Sequence, residues 1–583
     1  MRSPFASWLG TNYCPTVGET AELKAFLAEP LLQMKCLENK ITGMRQALNK
    51  LLEEREELQT YLHAHTALFS PIRRMPADVM QEIFLACLPT HRNCVMDVSE
   101  APLLLGRICS AWRTLSLATP RLWSSLHIVD RGKLPEESEP APAVSESEPD
   151  YPPDPWLVAE ERRAALVADA VRAWLERSRQ CPLSISLHYD LQSLFGLPPS
   201  QSIIHTIFSL AYRWQHIRFS ASVSVFRKLE QLSAADVPQL KSVGLQYHEA
   251  SSEWASPGFA QWDNLSFLSG PKVAAFAAFG EGLASPQLPV EWSRLAALSN
   301  VSFPDENPTW MREPSRLRID AGLLIMSRCS QLRSLSFVLK DHFSNIPRVG
   351  ELPFVDLHLL QTLHLSGDGT PSSILLDKIN VPQLKNLTLR TDWMTEDDRV
   401  WWGNHHTNRD SFSEPSLVRF LATLPLLESL SLTTRKLGPS SVKEILLHLP
   451  PSLLHLHITS DKSFSRWDTP DWKGDFLAPL VTPESTIPLP ILRDFDIVVA
   501  REELITDKTL LQFITARAST LKRVKLDFER PMDFDIVHDA ALSSFIENGL
   551  DFAVTYGPPT FQVPEYSPWT GLPDTPEPVL LTL

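Results

Sequence analysis

Between residues 34 and 62 apolar side chains return at alternating steps of three and four. The set is Met34, Leu37, Ile41, Met44, Leu48, Leu51, Leu58 and Leu62, with Arg55 standing in one slot. A repeat of about 3.5 residues is the seam of a coiled-coil helix, so the pattern predicts one long helix over 21–67. Glu53, Glu54, Glu56 and Glu57, with Lys50 and Arg55, give it a solvated face. Two packings satisfy such a seam: the helix lies on the rest of its own chain, or it pairs with a second copy.

Further along, the period changes. From about residue 162 to 556 a short unit spaced L-x-x-L-x-L recurs ten times, usually after a Pro or a polar turn. Examples are Trp214–Ile217–Phe219, Leu240–Val243–Leu245, Leu298–Val301–Phe303, Leu332–Leu335–Phe337, Leu384–Leu387–Leu389 and Leu521–Val524–Leu526. Its last part alternates with period two, as a half-buried strand must. Amphipathic segments such as 320–329, 441–449 and 507–518 precede several units and predict helices. The step from Leu363 to Leu387 falls within the roughly 20–29 residues of a leucine-rich repeat, and longer steps predict inserted loops. Each helix–strand unit leaves an apolar edge that only a stacked neighbour covers. The expected fold class is therefore α/β: a long N-terminal helix, a small all-helical segment, then an irregular leucine-rich-repeat-like solenoid. The Asn or Cys that follows the strand in a regular repeat is absent, so a mixed α/β fold without a clean horseshoe stays open.

Composition adds punctuation. Residues 129–161 include PEESEPAPAVSESEPDYPPDP, rich in Pro, Ser and acid, which cannot bury enough apolar surface to order itself. It predicts an acidic linker. Residues 1–20 are expected to be unstructured and 557–583 to be a Pro-rich tail. The whole chain has 583 residues, 43% hydrophobic, with 54 Lys and Arg against 69 Asp and Glu and a net charge of −15. That balance argues against a dominant nucleic-acid surface. No apolar run reaches the ~18 residues of a membrane span, and no signal peptide is evident. The seven scattered cysteines contain no Cys-x-x-Cys pair and read as reduced thiols of a cytoplasmic or nuclear protein.

The segment 70–128 carries the most specific pattern. Val79, Met80, Ile83, Phe84 and Cys87 line one wide apolar stripe of a short helix that opens at Pro76. A second helix is predicted over 101–117, where Leu104, Ile108, Trp112 and Leu115 share a face, and Arg121–Ile128 leads into an extended stretch. Two or three short helices cannot cover this much apolar surface, so the surplus docks on the neighbouring domain or on a partner.

These residues resemble a family. Met-Pro-x-x-Val-Met-x-x-Ile-Phe from Met75, then Ile-Cys-x-x-Trp-Arg-x-Leu from Ile108, then Pro-Arg-Leu-Trp from Pro120, look like the F-box, with Met75 where Leu is more usual. With the leading helix, the arrangement is similar to the large fungal class of F-box proteins. The resemblance implies docking of a Skp-type adaptor and, through it, a cullin, while the repeats present a protein substrate for ubiquitin transfer. It implies adaptor contacts at Pro76, Val79, Met80, Ile83, Phe84, Ile108, Trp112, Leu115, Leu122 and Trp123, some of which must also form the segment's own small core. The alternative is a leucine-rich-repeat interaction scaffold without a ligase.

No catalytic motif competes. There is no phosphate loop, nucleophile elbow or HExxH, and glycine is scarce at 21 residues. His405 and His406 are adjacent and would point apart, so no metal and no cofactor is expected. Trp393, Trp401 and Trp402 stand in one insertion, either pinning it to the solenoid or contacting substrate. The reading is a non-enzymatic receptor with no nucleic-acid or membrane partner.

Overall fold

In the computed structural model the described residues are 3–130, 155–189, 201–221, 223–247, 262–279, 288–300, 317–339, 352–392, 414–433, 439–459, 477–481, 489–499, 505–528, 536 and 539–556. They form two compact units, 1–83 and 84–583.

The first unit is built on α1 (Val17–Thr66), a single 50-residue helix. It starts from a capping box in which the Thr16 amide donates to Glu19 Oε2 at 2.8 Å and the Glu19 amide reaches Thr16 Oγ1 at 3.5 Å. Residues ahead of it, expected to be unstructured, instead make local turns. Their aromatic rings supply the reason: Trp8 stacks on Tyr13 at 4.7 Å, and Phe5 meets Phe26 edge-on at 5.7 Å. After two 3-10 turns comes α2 (Ala77–Ala86), and the division between the units falls inside this helix.

The second unit continues with α3 (Leu105–Ile108), α4 (Ser110–Leu117) and α5 (Pro155–Arg177). Both ends of the linker expected over 129–161 fall in regular elements. Strand residues run to Asp130 and α5 opens at Pro155, because Pro suits a first helical turn and the apolar positions after it follow the helical period. Residues 131–154 and the expected tail 557–583 lie outside the described residues.

The strands are β1 (Ser125–Asp130), β2 (Leu183–Tyr189), β3 (Trp214–Ala221), β4 (Ser242–Tyr247), β5 (Ala275–Phe279), β6 (Ala297–Ser299), β7 (Ser334–Leu339), β8 (Val355–Asp356), β9 (Thr362–Asp368), β10 (Ile379–Asn380), β11 (Asn386–Asp392), β12 (Ser429–Thr433), β13 (His455–Thr459), β14 (Asp494–Val499), β15 (Arg523–Phe528) and β16 (Asp551–Tyr556). Fourteen of them join side by side in chain order into one sheet, and β8 and β10 pair separately. Every pairing is parallel, so each strand must return through a crossover, and several crossovers hold a helix. This is the expected α/β repeat fold.

The ladder explains the triplets. Leu335, Leu363, Leu387, Leu430, Leu456, Phe495 and Val524 stand in one row across neighbouring strands, all at or near zero exposure. Burying such a side chain stabilises the stack by roughly 1.5–3 kcal/mol. The helices complete the layer. Asp507–Ala516 is capped by Thr506, whose Oγ1 accepts from the Thr509 amide, and buries Leu510, Phe513 and Ile514. Its Phe513 lies 4.6 Å from the ring of Phe495.

One triplet was misplaced. The ladder sets Leu298, not Val301, beside Leu335, so that unit is Leu295–Leu298–Asn300. The third position holds a buried Asn, satisfied by the backbone of the next strand: Asn300 Oδ1 accepts from the Val338 amide at 2.6 Å, and Nδ2 donates to its carbonyl at 3.2 Å. A search for three apolar residues slides past it.

Candidate functional site

Within the second unit, the stretch from Phe84 to β1 is built as a brace on the first strands. Arg92 holds Glu100 through two parallel bonds of 3.0 and 2.7 Å, both side chains largely covered. Such a fork fixes a loop that has little regular structure. Glu100 Oε1 also accepts from the Val95 amide at 3.3 Å. Next to this pair, Asn93 accepts from Ser125 Oγ at 2.9 Å and Ser184 Oγ at 2.7 Å, and donates to Ser186 Oγ at 3.0 Å. The loop thereby covers the polar face of β1 and β2, which is why His127, Ser186 and His188 are buried.

The helix expected over 101–117 is two helices. Cys109 is extended, with φ −158° and ψ 168°, and its Sγ accepts from the Trp112 amide to cap α4. Arg113 Nε reaches back to the Gly106 carbonyl at 2.8 Å and locks the bend. The break turns Leu104, Ile108, Trp112 and Leu115 off a common helical face. Leu104 and Ile108 are 42% and 55% exposed, and Leu117, not among the expected contacts, is 43% exposed. Trp112 and Leu115 are half-buried, and Trp112 covers the buried ring of Phe84 at 4.9 Å.

Leu122 and Trp123, expected as adaptor contacts, both belong to the interior. Trp123 Nε1 donates to the Ser116 carbonyl at 2.9 Å, its ring meets Trp174 edge-on, and the Arg177 guanidinium lies over it at 4.7 Å. Neither residue has surface to offer an adaptor. On α2 the expected contacts also divide. Pro76 and Val79 are exposed, Ile83 is half-buried, and Met80 and Phe84 are buried. Ile72 and Met75, ahead of the helix, are exposed as well. Sequence reasoning missed Leu104 and Leu117 as surface because it drew one uninterrupted helix.

The sheet offers a second surface. Alternate strand residues facing away from the buried Leu rows are mostly hydroxyls: Ser242, Ser299, Ser334, Ser336, Thr362, Thr388, Ser429 and Ser431. Along the two central rows from β1 to β12, no described position carries a carboxylate, although the chain has net charge −15. Basic side chains stand on or beside these rows instead, in two groups. One is Arg218 on β3 with Lys241 just ahead of β4, next to the uncharged ring of His216; the other is Arg390 on β11, next to the uncharged ring of His364 on β9. Burial pulls the Arg218 guanidinium down to about 10. Burial, helped by Arg390, takes His364 down to about 4, and burial and Lys241 lower His216. Between the groups the floor is small: Gly244, Ala275, Ala277, Ala297 and Ser299. Off those two rows, Asp368 and Asp392 are paired positions of β9 and β11, and Glu428 ahead of β12 holds Lys385 at 2.7 Å. Within them acids return on β14, and the acids there and beyond stand beside cross-strand bases: His455 with Asp494 at 2.7 Å, His457 with Asp496 at 3.0 Å, and Arg523 with Asp551 at 3.9 Å.

Among the described residues no cluster of His, Cys, Asp or Glu could hold a metal ion, and no helix is long and apolar enough to cross a membrane. Trp393, Trp401, Trp402, His405 and His406 lie outside the described residues.

No known family profile matches the sequence, and no curated protein matches it. Solved structures do. The yeast Rad7–Elc1 complex is similar at 14% identity and a TM-score of 0.31, over 59% of this chain and 68% of that one. The leucine-rich-repeat-containing protein LegL7 of Legionella pneumophila matches at 12% identity and a TM-score of 0.22, over 59% of this chain and 92% of that one. The mouse RP105/MD-1 complex matches at 15% and 0.23, over 66% and 68%.

Proposed function

We propose that this chain is a non-catalytic substrate receptor of a Skp–cullin–F-box type ubiquitin ligase. The observation that carries the reading is the solvent-facing pair Leu104 and Ile108, one helical turn apart, with Leu117 exposed beside them in the same segment while Phe84, Leu122 and Trp123 are buried. Apolar side chains left out of a braced core serve a partner, and they fall inside the F-box-like pattern. In the first unit, Pro76 and Val79 are exposed in their own right. The chain's contribution is proximity: it raises the effective concentration of substrate lysines near a charged thioester.

Under this reading the substrate lies on the open sheet face from β3 to β11. Arg218 on β3 and Arg390 on β11 are separated by six strand spacings, or about 29 Å at roughly 4.8 Å each. An extended segment of about eight or nine residues spans that distance at ~3.4 Å per residue. Its matching chemistry is an acidic peptide with carboxylates or phosphates near both ends, resting on the small-residue floor.

The test is co-purification of the full chain with a Skp-type adaptor and a cullin. Leu104→Asp combined with Ile108→Asp should abolish adaptor capture while the melting temperature stays close to that of the parent chain. Full capture by a folded double variant would sink the reading. Adaptor capture without cullin would favour the scaffold alternative.

A further inference from the structure

We infer that α1 pairs with α1 of a second copy of this chain, antiparallel, with the two-fold axis between Leu48 and Leu51. The seam is uncovered: Met34, Leu37, Ile41, Met44, Leu48, Leu51, Leu58 and Leu62 are each between 47% and 69% exposed. Eight large apolar side chains in register along one helix are far more than scattered surface residues explain, and a heptad seam is satisfied by another seam.

Charge along the helix selects the occupant and its direction. Residues 35–50 carry Lys35, Lys40, Arg45 and Lys50 against the single carboxylate of Glu38; residues 53–57 carry Glu53, Glu54, Glu56 and Glu57 against Arg55. The i,i+4 contact of Lys50 with Glu54 is long, at 3.8 Å, and exposed on both sides, so the two blocks remain available. A parallel pair would set each block beside its own copy and bring Arg55 against Arg55 in the seam, where like charges repel. An antiparallel pair lays the acidic block on the basic one. The helix is therefore complementary to itself, as an isologous two-fold contact requires.

The block centres also fix the register. They balance about a point near residue 49, which is where Leu48 layers on Leu51 of the partner subunit. From there Ile41 meets Leu58 of the partner subunit, Leu37 meets Leu62 of the partner subunit, and Arg55 lies against Met44 of the partner subunit. Arg55 then packs its aliphatic stem on a thioether instead of on a second guanidinium. Adaptor docking is not needed for this pairing.

The experiment uses the full chain at tens of micromolar. Sedimentation should give twice the chain mass, and a chain that remains monomeric overturns the inference. Leu48→Glu with Leu51→Glu changes only exposed α1 positions and should give a monomer; a persisting dimer would place the contact elsewhere and overturn it. Replacing all four α1 glutamates from Glu53 to Glu57 by Lys should weaken association at least tenfold. Adding Lys35→Glu, Lys40→Glu, Arg45→Glu and Lys50→Glu should restore it. For direction, Cys36 on α1 is exposed and takes a spin label once Cys14, Cys87, Cys109 and Cys181 are changed to Ser. Antiparallel pairing places the two labels about 40 Å apart along the axis at ~1.5 Å rise per residue. A label distance under about 20 Å, near the ~8–10 Å separation of packed axes, means a parallel pair and overturns the stated geometry.

Discussion

The indole of Trp123 meets the indole of Trp174 edge-to-face, with ring centroids 4.9 Å apart. One residue closes the 70–128 segment and the other lies on α5 ahead of β2, so the contact ties that segment to the start of the repeats. Offset or edge-on aromatic pairs add about 0.5–1.5 kcal/mol beyond their burial.

Trp123→Ala should therefore act on stability. Removing this buried ring and its bond to the Ser116 carbonyl should cost about 3–5 kcal/mol, read as a lower denaturant midpoint. Any loss of adaptor capture should follow the unfolded fraction. Ile108→Asp, at a site 55% exposed, should show the reverse: an unchanged midpoint within about 0.5 kcal/mol and lost capture.

Arg92→Ala should loosen the loop that braces β1 and β2. It leaves the Glu100 carboxylate partly buried without its fork, a change expected to cost on the order of 2–3 kcal/mol. Hydrogen exchange should accelerate first at the Cys94, Val95 and His127 amides, which are bonded through this loop.

His364 should titrate near 4 by ring NMR, well below its ordinary 6.5. A base held low in the fold stays neutral while the unfolded ring charges, so the stability it contributes is complete above pH 6.5 and falls away as pH drops toward 4. Burial is the larger cause and Arg390 the smaller. Arg390→Gln should raise the midpoint only partly, leaving it below 6.5. A return to 6.5 would show that His364 is solvated.

Gly367→Ala should destabilise the sheet. Gly367 has φ +98°, and a Cβ there would overlap the Leu339 carbonyl oxygen of the neighbouring strand. The expected loss is about 2 kcal/mol or more, measured by chemical denaturation.

The sheet face gives a binding prediction. A fluorescent acidic peptide with phosphoserines about eight or nine residues apart should bind the full chain, and Arg218→Glu with Arg390→Glu should weaken it at least tenfold. Arg390 is exposed and the Arg218 guanidinium partly covered, so a melting curve of the double variant accompanies the binding measurement. Unchanged binding by the double variant would remove this face as the substrate surface.

Much of this was legible in the residue order. The period of α1 and the rows of Leu363, Leu387 and Leu430 follow from spacing alone, because helical and strand geometry turn spacing into faces. β5 escaped notice because its unit, Val273–Phe276–Ala278, ends on a side chain too small to read as apolar punctuation. β6 was misread because Asn300 fills a core position through bonds to Val338, a partner 38 residues away in sequence.

By itself, then, the sequence determined a long heptad helix, short apolar-striped helices over 70–128 and a stack of α/β units, all local consequences of which positions are apolar. Tertiary structure alone decided which apolar residues of that segment remain on the surface. Leu122, Trp123, Ile108 and Leu104 carry the same signal in the chain, and only the Trp174 contact and the bend at Cys109 separate them. The hydrophobic effect drives burial without direction; which side chains find cover depends on long-range neighbours that no local pattern names.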